Sequence, residues 1–109
     1  MATKKIHYSV REVSEILGVN ESNVRYWEKE FKTINPYIGG RGVRFFSEQD
    51  VEEFKLIKYL VKDRKYTIAG AQKKLKDNKK DTVEKQQMVE RLILVKTMLL
   101  EIKDQLAEN

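Results

Sequence analysis

"SVREVSEILGVNESNVRYWEKEF", residues 9–31, is the stretch that decides the fold. Ser9 and Glu12 have capping-box spacing, in which each side chain takes the other's backbone N–H. Val13, Ile16 and Leu17 recur on one helical face. Gly18 suits the left-handed position that ends a helix. Asn20 then caps a second helix, from about Glu21 to Phe31. Helix, short glycine turn, helix is the helix-turn-helix pattern, which an ordinary helical hairpin shares. In the second helix Val24, Trp27 and Phe31 fall at i, i+3 and i+7 and form the buried stripe. Ser22, Arg25, Tyr26 and Lys29 project elsewhere. Pro36 biases Asn35 away from helical angles and closes the segment.

Beyond it, "YIGGRGVRFFS" (37–47) has two short apolar runs around glycines, the mark of a β-hairpin. Arg41 is at its tip. Alternation puts Val43 and Phe45 on one face, Arg44 and Phe46 on the other. Ser47 and Asp50 open a third helix with Val51, Phe54, Ile57, Leu60 and Val61 inward. "KDRKY" (62–66) reads as a loop. Thr67 caps a fourth helix, with Ile68, Ala71 and Leu75 inward and Gly70 as a weak point. "KDNKK" (76–80) is a polar hinge. From Thr82 to Glu108, 27 residues contain neither Gly nor Pro, enough for a helix of about 40 Å. Leu92, Leu99 and Leu106 recur every seventh position, with Met88, Val95 and Ile102 in the offset row, as on a coiled-coil seam. Ile93, Leu94, Met98 and Leu100 add apolar surface. Such a helix needs a partner. It either folds back on its own domain or self-associates, and the plausible core of residues 1–80 favours self-association.

Composition narrows the function. The 109 residues are 36% charged, with a net charge of +5. Residues 1–80 hold 18 Lys/Arg against 11 Asp/Glu, and residues 81–109 hold 4 against 6. A basic front segment calls for an anionic partner, nucleic acid before membrane. There is no cysteine, hence no disulfide or thiolate metal site. No apolar run is long enough to span a bilayer, and Met1–His7 has no leader-like stretch. A cytoplasmic protein is expected. The single histidine, His7, has no obvious partner, and neither a nucleophile motif nor metal-ligand spacing occurs. No catalytic residue, cofactor or metal is expected, and no enzyme.

Three clusters suit DNA instead. A helix-turn-helix places the N-terminal part of its second helix in the major groove. There Asn20, Ser22 and Asn23 are short hydrogen-bonding groups, although Asn20 fits a cap better. Arg25 reaches a guanine edge or a phosphate, and Tyr26 offers its hydroxyl to a phosphate. Glu28 and Glu30 must point away or pair with nearby lysines. The second cluster is Arg41 and Arg44 on the glycine-rich wing. The third is Lys62, Arg64, Lys65, Tyr66 and Thr67, where charge meets the free N–H groups of a helix start. Each alone could be a solvated face; three bracketing one capped helix favour a binding surface.

These motifs, with "GGRGVRFFSEQDVEEFKLIKYLV" and "YTIAGAQKKL", resemble the DNA-binding domain of the MerR family of bacterial transcriptional regulators over residues 8–77. The resemblance implies a mainly α fold with a small β-hairpin. A winged helix-turn-helix head, residues 1–80, is followed by a helix, residues 81–109, forming an antiparallel coiled coil in a homodimer. It implies that Arg25 and Tyr26 are the DNA-contacting pair, that Arg44 is the wing arginine and that 62–67 is a second wing. Phe46 stands where the family often has tyrosine. The expected function is sequence-specific regulation at an inverted-repeat promoter site in double-stranded DNA, with RNA polymerase as a further partner. Family members usually carry an effector region or metal-binding cysteines after the helix. Neither is evident here, so this is either a member without an effector or a sequence whose effector region lies outside these residues. Two alternatives stand: an excisionase-like architectural module, and a protein-interaction adaptor acting through the last helix.

Overall fold

A computed structural model of the chain describes residues 7–108; the leader-free reading of the N-terminus lies mostly outside them. The order is β1 (Tyr8–Ser9), α1 (Val10–Leu17), α2 (Glu21–Glu30), β2 (Tyr37–Ile38), a 3-10 turn (Gly40–Gly42), β3 (Arg44–Phe46), α3 (Glu48–Lys58), one π-helical turn (Tyr59–Asp63) and α4 (Ile68–Glu108). Two compact units divide between Lys73 and Lys74.

In the first unit, α1 starts as its sequence demands. Ser9 Oγ accepts from the Glu12 N–H, and Glu12 Oε1 accepts from the Ser9 N–H, both at 3.1 Å. Gly18 ends the helix at φ 69°, and the Val19 N–H reaches the Ser14 carbonyl at 3.0 Å. Val13, Ser14 and Leu17 are buried, whereas Ile16 is 47% exposed. The expected inward Ile16 is therefore corrected. At ~100° per residue Ser14 and Ile16 lie equally far from the centre that Val13 and Leu17 set, on opposite edges of the stripe, and the Ser14 edge is the one that is covered. Ser14 is tolerated there because its hydroxyl donates to the Arg11 carbonyl at 2.7 Å.

Helix α2 buries Val24 and Trp27, with Phe31 and Ile34 beyond its end. Asn20 occupies the N-cap position but makes no side-chain capping bond, a second correction. Its carbonyl instead accepts from the Asn23 N–H at 3.0 Å.

The hairpin gains a strand. β1 and β2 both pair antiparallel with β3, so the sheet order is β1-β3-β2. The register sets Tyr8 opposite Phe46, and Tyr37 opposite Phe45. Phe46 is fully buried and meets the Phe54 ring edge-on at 5.2 Å. The Tyr8 hydroxyl donates to Glu48 at 2.8 Å, tying β1 to α3. That carboxylate pushes the phenol pKa up. Ser47 and Asp50 form the capping box of α3, and Asp50 also accepts from the Asn35 N–H at 3.1 Å. Burial of Val51, Phe54, Leu56 and Ile57 continues through Tyr59 and Leu60 in the π turn.

Thr67 caps α4, its Oγ1 accepting from the Gly70 N–H at 3.0 Å. A Cβ on residue 70 would sit 3.0 Å from that hydroxyl, so the apparent weak point makes room for the cap. Ala71 is buried, and Gln72 donates to the Glu30 carbonyl at 2.6 Å.

The second unit is the remainder of α4, interrupted at Asn78 (φ −150°, ψ 59°) inside the expected polar hinge. Asp81 pairs with Lys74 at 2.8 Å and Lys85 at 3.3 Å. Met88, Leu92, Val95, Leu99, Ile102 and Leu106 are 52–70% exposed on the single chain. Among the described residues no helix is long and apolar enough to cross a membrane.

Candidate nucleic-acid interface

Burial of Val24 and Trp27 fixes the rotation of α2. Arg25, one residue past Val24, is thereby turned out, as are Ser22, Tyr26 and Lys29; Asn23 is half-buried. This divides the crowded Arg25-Tyr26-Trp27 run into one inward and two outward side chains.

The wing lies beside this helix. Arg44 Nε stands 2.7 Å from Glu28 Oε1; the Arg44 side chain is 47% exposed and that of Glu28 only 13%. The acid on α2 therefore pairs with an arginine of β3, where the sequence suggested that it point away or pair with a nearby lysine. Between wing, α1 and α2 lies a cleft of about 300 Å³ whose walls include Arg11, Arg25, Arg44 and Glu21. Arg25 and Arg44, proposed from separate motifs, are thus brought to one place. Arg11 joins them and was not anticipated. Its exposed guanidinium pairs with Glu15 at 3.2 Å, so the sequence offered only an ordinary i, i+4 ion pair.

The other cations stand outside those walls. Arg41, at the wing tip, has a left-handed backbone at φ 65°. Lys65, in the loop before α4, is also left-handed at φ 61°. That loop is closed by the Arg64 N–H on the Tyr59 carbonyl (2.9 Å) and the Tyr66 N–H on the Leu60 carbonyl (2.8 Å). Lys62, Arg64 and Lys65 are exposed, Tyr66 is half-buried, and Thr67 spends its hydroxyl on the cap. Among the described residues no cluster of His, Cys, Asp or Glu could hold a metal ion.

A family model described as MerR HTH family regulatory protein matches residues 8–78. The chain belongs to the MerR family. It carries the helix-turn-helix head of these DNA-binding transcriptional regulators, followed by a long helix. It is 38% identical over 72 residues to the Regulator protein TubY of Clostridium botulinum C phage. That match covers 65% of this chain and 30% of the phage protein, so the chain spans under a third of that relative's length.

Proposed function

We propose that this MerR-family chain is a sequence-specific regulator that binds double-stranded DNA as a homodimer on an inverted-repeat promoter site. The observation that carries the reading is the meeting of Arg25 on α2 and Arg44 on the wing at one cleft, in a head of regulatory type. In this reading α2 enters the major groove, with Arg25 and Tyr26 as its chief contacts and Ser22, Asn23 and Lys29 beside them. The wing cations Arg41 and Arg44 hold the flanking backbone. Lys62, Arg64, Lys65, Tyr66 and Thr67 form the second wing.

Residues 1–80 act as the DNA-binding domain and residues 81–109 as the dimerisation helix. The exposed Leu92–Leu99–Leu106 row supports pairing of two copies, because such a seam is stable only when covered. A two-fold dimer fixes two heads at one spacing and so favours an inverted repeat. RNA polymerase at the promoter is the further partner that this reading implies.

Selection of bound duplexes from a random pool, followed by titration of the winning site, tests the reading. Arg25→Ala should weaken binding by about 1–3 kcal/mol, roughly five- to 150-fold. Arg44→Ala should weaken all sequences alike and make the salt dependence shallower. Unchanged affinity in both variants would remove these residues as contacts. A flat response of binding to salt would point instead to a protein-interaction adaptor.

A further inference from the structure

Glu28 is an acid on the helix proposed to enter DNA. By charge alone it should oppose binding, and its removal should help. Yet its side chain is only 13% exposed, and it touches the wing arginine at 2.7 Å. An arginine has five N–H donors. The closest approach of the pair is at Nε, which lets the terminal N–H donors serve another partner. The Arg44 side chain is 47% exposed and lines the same cleft as Arg25. Arg44 sits in β3, opposite Ile38 of β2. The ion pair therefore joins the wing to α2 directly.

We propose that Glu28 is a positioning residue for DNA binding: it holds Arg44 by Nε, docks the wing on α2 and leaves the terminal guanidinium N–H groups for a phosphate. The inference rests on the reading of Arg44 as a duplex contact. A partly exposed ion pair contributes little to stability, so its effect is on geometry. An arginine ordered beforehand loses less freedom on binding than one that must be ordered by the DNA. A carboxylate that aids binding to a polyanion gives an effect opposite in sign to simple repulsion.

The experiment is a cycle of Glu28→Gln, Arg44→Ala and the double variant, with affinity for the selected duplex measured across salt and thermal midpoints recorded for each. Glu28→Gln should weaken binding roughly three- to tenfold with the midpoint near that of the parent chain. In the Arg44→Ala background the same change should no longer weaken binding and should strengthen it slightly, because only the repulsive charge is then removed. A merely structural role would weaken binding in both backgrounds, and that result overturns the proposal. Equal or tighter binding by the single Glu28→Gln variant also overturns it. Should Arg44→Ala bind like the parent chain, the contact reading itself fails, which is a distinct outcome. Arg44→Lys guards against misfolding of the Glu28 variant. It keeps the charge but has one ammonium for both partners, so affinity must fall; full affinity would refute the role of Nε.

Discussion

Val13 and Ile16 are similar apolar side chains three positions apart on α1, and the head treats them differently. Val13 is fully buried and Ile16 nearly half exposed. Val13→Ala should therefore cost about 1–3 kcal/mol in urea unfolding, and Ile16→Ala no more than about 0.5 kcal/mol. Equal losses would mean that the α1 face is misassigned. A helical stripe can be read from spacing, but its edge depends on what packs there. Val24, Trp27 and Phe31 were legible because their spacing leaves one choice of face. Ile16 was not, because Ser14 satisfies its own hydroxyl within the helix and takes the buried place. The outward turn of Arg25 follows from Trp27 and was equally legible. The Arg44–Glu28 pair was not, since it joins residues that only the folded wing brings together.

Elements that begin with local chemistry were the easiest to foresee. Ser9 with Glu12, Ser47 with Asp50, and Thr67 each make hydrogen bonds three residues away, and this reach is visible in sequence. Strand β1 is two residues long, too short to show alternation. It exists because β3 offers it an edge. The π turn after α3 likewise carries no residue signature; it runs to Asp63, two residues into the stretch expected as a loop. At the Asn78 interruption of α4, Asp81 is held below the usual carboxylate range, chiefly by its hydrogen bond from Lys74 and further by Lys85, against desolvation. With a folded pKa below the unfolded one, its small contribution to stability is complete above the unfolded value. It is lost as pH falls through the folded value. An NMR titration of the Asp81 carboxyl should place its midpoint below ~3.9, and Lys74→Ala should raise it. A midpoint unaffected by Lys74→Ala would remove the pairing.

For the molecule as a whole, the charge asymmetry matches a division of labour. The front 80 residues carry the cationic excess and the tail a slight acidic one, so the proposed dimer contact is not built on the same charges as the proposed DNA contact. Leu99→Asp should give monomers in sedimentation velocity and weaker binding to the selected inverted repeat, since two heads then bind independently. A persistent dimer would sink the seam. The two left-handed cations, Arg41 and Lys65, bear on how such a protein can change. Each holds a backbone shape that costs a non-glycine residue roughly 1 kcal/mol, and each is at an exposed tip. Glycine would suit both positions better for folding alone. A laboratory lineage bred for heat tolerance would drift toward glycine there and shed tip charge. One bred for tight operators would keep the cations and remain less heat-resistant. If the proposed DNA contacts hold, durability and grip are competing traits at these two sites.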